Sequence, residues 1–401
     1  MTALAASAQT IAIEFAGETA TVTIPEEVTD VTSTVNGAYV TLTSATITTE
    51  YTYNVSGKTT NGGLTINGEY KLTLDLAGAD ITSKKGAAID VECGKRIAVN
   101  IAKGTENNLV DCVGGKQKAA MYFSGHPEFT GGGTLNVTGN TKHAISAKEY
   151  LQIKKKFAGN INILSSASDG IHCGKGNLQG DENEFFIMSG GTVTINNVLG
   201  DCIDADDFGC MNIEGGTLNL NVTALSGKGL KCADALTMTG GIVNIKLTGD
   251  DADAISCGGT ANLNGGTIDI TVEGNGAKGI KCAAKLGAGD LNIDGTDITI
   301  NATGGNYIID EGLESEAISP CVGIKADGNI TQTSGEVNVT TSGDAVAVVC
   351  AGTVSGTINQ STGIQSVTSA AVSSQAYSIS GQPVGKNHKG IVIKNGKKTL
   401  R

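Results

Sequence analysis

Residues 226–282 read SGKGLKCADALTMTGGIVNIKLTGDDADAISCGGTANLNGGTIDITVEGNGAKGIKC, and this stretch decides the fold. KGLKC at Lys228, DAISC at Asp253 and KGIKC at Lys278 stand 25 residues apart, and each offers a turn residue, a small residue, Ile or Leu, a polar residue and Cys. Earlier copies are DGIHC at Asp169 and DCIDA at Asp201, and a later one, VGIKA, begins at Val322. A second repeat travels with the first: strand, Gly-Gly turn, strand. Its second glycines are Gly191, Gly216, Gly241 and Gly266, again 25 apart. Within these strands Leu218/Leu220, Val243/Ile245 and Ile268/Ile270 alternate with Asn219, Asn244 and Asp269, the period of two of a β-strand with one face buried. Parallel strands ordinarily need long crossovers; a coil that returns one strand spacing higher per turn avoids them. The expectation is an all-β, single-stranded right-handed parallel β-helix, a solenoid with about three strands per rung and a period of about 25 residues.

Working outward, residues 1–9 read as the remnant of a signal peptide with an Ala-Ser-Ala cleavage site, implying a secreted or cell-surface protein. Residues 10–61 read as N-terminal rungs or a β cap, 62–363 as the coil, with loops at 174–184 and 304–320, and 364–401 as a C-terminal cap with a distinct β segment. Its 57 glycines disfavour helices, and 39% hydrophobic residues are too many for disorder. A net charge of −12 argues against nucleic acid and anionic membrane surfaces, and no apolar run approaches the roughly 20 residues of a membrane helix.

Of the ten cysteines, Cys173, Cys232, Cys257, Cys282 and Cys350 share one repeat position with Ala147, Ala205 and Ala326, and read as a buried stack of compact hydrophobes rather than disulfides. If Ile171, Ile203, Leu230, Ile255, Ile280 and Ile324 point inward, then His172, Asp204, Lys231, Ser256, Lys281 and Lys325 form an outward stripe beside the turn residues Asp169, Asp201, Lys228, Asp253 and Lys278. Between them, Gly170, Cys202, Gly229, Ala254, Gly279 and Gly323 make either a shallow groove floor or merely a tight turn. Asp201, Asp204, Asp206 and Asp207, with Asp169 one rung away, form the densest acidic spot; carboxylates so close need a cation or basic partners, and hard oxygens point to calcium at Asp201, Asp204 and Asp206 with Asp169. Against that stands neutralisation by Lys228 and Lys231, the reading preferred for Asp250, Asp251 and Asp253. His172 reads as a solvated histidine or as a proton carrier beside Asp169.

The runs GAAIDV (86–91), KGTENNLVD (103–111), TLNVTGN (134–140), SDGIHCG (168–174), GDCIDADD (200–207), GKGLKCADALTMTGG (227–241) and VGIKADGNITQTSG (322–335) together resemble the calcium-binding, pectate-lyase-like β-helix proteins described as carbohydrate-binding domains, over roughly residues 60–350. The resemblance implies binding of plant cell-wall polysaccharide, pectin-like acidic chains among them, with calcium on turn aspartates matching Asp169, Asp201 and Asp253; Lys228 and Lys278 depart from that pattern. The end of the chain, YSISGQPVGKNHKGIVIKNGKK, resembles the C-terminal sorting tails of exported Bacteroidetes proteins.

The expected function is therefore an extracellular protein that binds polysaccharide with calcium, using His172, Lys228, Lys231, Lys278, Lys281 and Lys325 toward the sugar. A polysaccharide lyase or hydrolase is the alternative. A lyase would draw its base from Lys228, Lys231, Lys278 or Lys281, and nothing in the sequence marks one of them as activated. A structural surface protein or adhesin is the third reading. Trp is absent and Tyr122, Phe123, Tyr150 and Phe157 read as core rather than as a sugar platform, which favours ionic recognition of uronates.

Overall fold

The computed structural model describes residues 9–174, 185–205 and 209–362, and four short strands of the C-terminal stretch. The chain forms two compact units, 1–361 and 362–401.

In the first unit every repeat makes three strands. Lys228–Cys232, Leu236–Met238 and Ile242–Leu247 form one rung, and Asp253–Cys257, Ala261–Leu263 and Thr267–Val272 form the next. Successive rungs pair parallel and in register, Leu230 with Ile255, Leu236 with Ala261 and Val243 with Ile268. Among the described residues the rung strands fall into a 13-stranded and a 24-stranded sheet, beside a two-stranded sheet in the 304–320 insertion and a four-stranded one in the second unit, and none is helical. The larger sheet is two columns of strands joined by the long strand Leu72–Thr82, which pairs with Arg96–Ile101 through its first half and with Glu106–Val110 through its second.

Alternation places the aliphatic residues inside: Val243, Ile268 and Ile300 are fully buried. Each such side chain is worth roughly 1.5–3 kcal/mol relative to exposure, so the repeated pattern fixes the register of every rung. Outside, equivalent asparagines bond up the coil, Asn244 Nδ2 donating to Asn219 Oδ1 at 2.9 Å and Asn292 Nδ2 to Asn262 Oδ1 at 2.9 Å. The Gly-Gly turns recur because their second residue is left-handed (φ +82° at Gly216, +91° at Gly241), and a Cβ on Gly216 would lie 2.8 Å from the carbonyl of Gly190 on the preceding rung. The described cysteines other than Cys173 are free thiols, and Cys173, Cys232, Cys257 and Cys282 are buried in register, Cys232 beside Cys257 and Cys257 beside Cys282.

One expectation is corrected here. The row from Gly170 to Gly323 is not a groove floor. A Cβ on Gly229 would meet Ile245 Cδ1 at 3.2 Å and the Ala254 carbonyl at 2.4 Å, and one on Gly170 would meet Ile195 Cγ2 at 2.9 Å. Cys202 and Ala254 in the same row are fully buried. Small residue and Ile both point inward, breaking the alternation at the strand start. Phe123 and Phe157 also lie in the core.

At the N-terminal end, Thr10–Ala16 and Thr19–Thr23 form an antiparallel hairpin, as do Val31–Asn36 and Ala38–Ser44, while Thr10–Ala16 also runs parallel to Thr52–Thr59. Hairpins of this kind cover edge groups that an open coil would leave unpaired. The 304–320 insertion carries a small antiparallel hairpin, Tyr307–Ile309 with Ala317–Ser319. The loop expected at 174–184 lies, but for Gly174, outside the described residues. In the second unit, Ala376–Ser378 pairs antiparallel with Pro383–Val384 and with Ile391–Lys394, and the last pairs with Lys397–Leu400.

Candidate functional site

The broken alternation builds the site. Because positions two and three of each copy both face inward, positions one and four emerge side by side on the 13-stranded sheet. Register carries both up the coil: Lys228 lies beside Asp253 and Asp253 beside Lys278, while His172 lies beside Asp204, Asp204 beside Lys231, Ser256 beside Lys281 and Lys281 beside Lys325. The stripe expected from the sequence is thus assembled, but it is far less exposed than a surface ladder. Asp169, Asp204, Asp253 and Lys278 are all buried.

At its N-terminal end the column holds a histidine absent from the sequence-based set. HAISA (143–147) is a further copy of the repeat, and its first residue, His143, is 3% exposed. His143 Nδ1 lies 3.0 Å and His172 Nδ1 3.5 Å from Asp169 Oδ2, and His172 Nδ1 lies 3.7 Å from Asp204 Oδ2. The two imidazoles stack, centroids 4.3 Å apart and 12° from parallel. Asp169 Oδ1 accepts from the Asp201 amide at 2.9 Å and from the Ser168 hydroxyl at 3.3 Å. Lys231 Nζ bridges Asp204 Oδ2 at 2.9 Å and Asp201 Oδ2 at 3.3 Å, and Asp201 Oδ1 accepts from the Lys228 amide at 2.8 Å.

These contacts set the charges. Burial alone would raise the Asp169 carboxyl, yet His143 and His172 hold it well below the carboxylate range. Burial works against the charge on His172, but Asp169 and Asp204 raise it to about 9. His143 is pushed down by burial against the pull of Asp169, and Asp201 is pushed up by burial against Lys231. Asp204, despite its burial, is lowered by His172 and Lys231. His172 is therefore neither solvated nor isolated; it is walled between two carboxylates.

Oxygens of Asp169, Asp201 and Asp204 converge within 4.8 Å, as a cation site requires. Calcium takes six to eight oxygens. Here all but one of the six carboxylate oxygens already face a nitrogen or hydroxyl of the protein, and Asp204 Oδ1 is the buried one without a hydrogen bond. The set fits calcium only if the ion displaces Lys231 and draws further oxygens from a bound partner. Asp206 lies outside the described residues. Asp253 joins no such cluster among the described residues; it sits between Lys281 at 3.1 Å and Lys228 at 3.8 Å.

Above Asp204 and Asp253 opens a cleft of about 600 Å³ lined by Lys228, Lys231, Ser256, Lys281, Lys285 and Leu286 among others. Four ammonium groups line it, while the carboxylates that hold three of them lie beneath. Lys278 does not reach it. The 304–320 hairpin covers this side chain, whose Nζ bonds to Ser319 Oγ at 2.5 Å, to the Gly276 carbonyl and to Asp251 at 3.3 Å. Burial lowers the Lys278 ammonium but also removes it from any polymer. Lys231 is the reverse case: accessible, yet held protonated because Asp204 and Asp201 outweigh its burial. Neither suits a general base, which must be both reachable and readily deprotonated. Lys325 continues the stripe and enters no ion pair among the described residues. Lys285 and His143 were the residues the sequence reading missed; carrying the outward stripe to HAISA, whose Ala147 already sits in the cysteine row, would have found His143.

A search of curated proteins returned no match. Among solved structures, the polysaccharide lyase-like protein from C. thermocellum, as its gadolinium derivative, is 20% identical, with 73% of this chain and 94% of that one covered at a TM-score of 0.43. The family model described as carbohydrate-binding domain-containing protein matches twice, over residues 41–256 and 183–369, and the chain belongs to that family.

Proposed function

We propose that this protein binds an acidic polysaccharide outside the cell or at its surface, in the lysine cleft of the 13-stranded sheet. A polysaccharide-related role follows from the family. The acidic character of the polymer rests on one observation: four ammonium groups, from Lys228, Lys231, Lys281 and Lys285, line a single cleft of about 600 Å³ on a chain whose net charge is −12. Buried Asp204 and Asp253 fix Lys231 and Lys281 from below, so little side-chain entropy is lost when a uronate carboxylate arrives. Each such contact is a charge-assisted hydrogen bond. Calcium enters this reading only together with the polymer. Asp204 and Asp201 would hold it, the sugar would supply the remaining oxygens, and the ion would link carboxylates of both partners. The coil is read as right-handed, the hand that parallel crossovers overwhelmingly adopt, and the C-terminal unit as a sorting module.

The test is retention on polygalacturonate against a neutral galactan, with and without a calcium chelator and over a salt series. Retention on polygalacturonate that falls with salt and is weakened at least tenfold by Lys281→Glu with Lys285→Glu is expected. Equal retention on the neutral polymer, or indifference to the double substitution, would sink the reading. Loss on chelation assigns calcium a bridging part, and indifference to chelation leaves the lysines alone.

A further inference from the structure

We propose that His143, Asp169 and His172 form a binding site for a zinc-like first-row transition metal, one rung from the Asp201 and Asp204 carboxylates offered above for calcium and outside the lining of the lysine cleft. Three observations carry it. First, His143 Nδ1 and His172 Nδ1 are both buried and neither makes a hydrogen bond, although Asp169 Oδ2 stands 3.0 and 3.5 Å away. A buried imidazole nitrogen aimed at a carboxylate and left without an aligned hydrogen bond is placed to give a lone pair to an ion; His172, which the two carboxylates keep protonated, must release its Nδ1 proton as the ion enters. Second, the spacing suits an ion. Ligand atoms bonded to tetrahedral zinc at about 2.0–2.2 Å stand roughly 3.3–3.5 Å from one another, and the three donors here lie within 4.8 Å of each other. Third, the carboxylate is held as metal-ligating carboxylates are. Asp169 Oδ1 is taken up by the Asp201 amide and the Ser168 hydroxyl, which turns Oδ2 toward the imidazoles. Room for this carboxylate depends on Gly200, where a Cβ would fall 2.3 Å from Asp169 Oδ1.

Two nitrogens and one carboxylate oxygen are a donor set for zinc and its neighbours, not for calcium, which wants oxygen alone. Three protein ligands leave a fourth position open, and Asp204 Oδ2, 3.7 Å from His172 Nδ1, borders it. The rings, now 12° from parallel, tilt toward each other to close on the ion.

The experiment uses the full chain, stripped of metal and free of polysaccharide, so its outcome is independent of sugar binding. Titration with Co(II) is expected to give the visible absorption of a four-coordinate site at one ion per chain. Zinc should abolish that absorption, and millimolar calcium should leave it intact. His143→Asn and His172→Asn should each weaken zinc binding at least 100-fold, while Lys281→Ala leaves it unchanged. Should either histidine variant fail to fold, pulsed EPR on the Cu(II)-loaded wild-type chain decides instead, two coordinated imidazoles being expected. No four-coordinate Co(II) absorption, displacement by calcium, or fewer than two imidazoles on copper would overturn the assignment.

Discussion

Two outward faces of the same rungs are built on opposite rules. On the outside of the 24-stranded sheet, neighbouring rungs in places repeat the same neutral residue, Asn136 and Asn162 and then Asn219 and Asn244 in one column and Asn262 and Asn292 in the other, each pair joined by a 2.9 Å hydrogen bond. An amide donates on one side and accepts on the other, so such a ladder satisfies itself whatever the rung number. On the other face the same register stacks His172, Asp204, Lys231, Ser256 and Lys281. Here the charged members are each complemented by an opposite charge, His172 and Lys231 by Asp204 and Lys281 by Asp253. Shift any of these and a buried charge loses a partner. Repetition yields a surface that stabilises a coil; departure from repetition yields one able to discriminate a ligand.

Both faces hang on the same inner wall, and the largest expected effect breaks that wall. Gly229→Val places a branched side chain against the Ala254 carbonyl, where the Cβ alone would sit at 2.4 Å. The cost is expected to reach about 3 kcal/mol, the upper range of overpacking, seen as a lower urea midpoint with both faces disturbed together. Loss of polymer binding without loss of stability would show that Gly229 does line an external groove.

Next in size is Lys231→Met, which touches the charged face alone. It strands Asp201 and Asp204, whose Oδ2 atoms Lys231 now holds. Removing one partner of a fully buried pair costs roughly 3–5 kcal/mol; the Lys231 side chain is 37% exposed, so about 2 kcal/mol is expected at pH 7. The deficit should shrink on acidification as the two carboxyls take up protons. A deficit that is flat with pH would mean that packing, not charge, was lost.

Asp90 sharpens the comparison from the other side, because it lies in the same column beside Tyr122 yet enters no ion pair among the described residues, nearby Lys116 being paired with Glu92 instead. Its Oδ1 is buried without a hydrogen bond, and burial, with Glu92 adding repulsion, raises the carboxyl to about 6. A folded pKa above the unfolded one favours the folded state while the group is protonated. That advantage is whole below about pH 4 and lost as pH rises through about 6. Asp90→Asn is therefore expected to stabilise the protein by about 1–2 kcal/mol at pH 7 and by nothing at pH 4, in paired thermal unfolding curves.

The inner wall was open to reading because an aliphatic residue behaves alike on every rung, so Val243, Ile268 and Ile298 announce the coil by period alone. The charged face was legible as a set of positions and not as an environment. Asp253 and Lys278 occupy equivalent places, yet one is buried by lysines of adjacent rungs and the other by Ser319, 41 residues along the chain, brought there by an insertion that carries no repeat. Of the two readings of the small-residue row, the groove floor fails for a local reason. Strict alternation assigns Gly229 to the outside, and only the backbone irregularity at the strand start turns it in. His143 escaped because its copy of the repeat, HAISA, aligns only through Ala147 in the cysteine row, while the outward stripe starts one copy later, at Asp169.

The smallest effect belongs to the uniform face. Asn219→Ala removes the oxygen that Asn244 Nδ2 uses at 2.9 Å. Both side chains are only partly buried, so water replaces the lost partner and the cost is expected to stay at about 1 kcal/mol or below, with no change with pH. The informative quantity is additivity. If the ladder is a sum of neighbour contacts, Asn219→Ala and Asn292→Ala, which share no partner, should add within about 0.5 kcal/mol in urea denaturation. On the charged face, Lys231→Met combined with Asp204→Asn should fall well short of the sum, since the second change relieves the charge that the first exposes. Equal behaviour of the two pairs would erase the distinction between the faces.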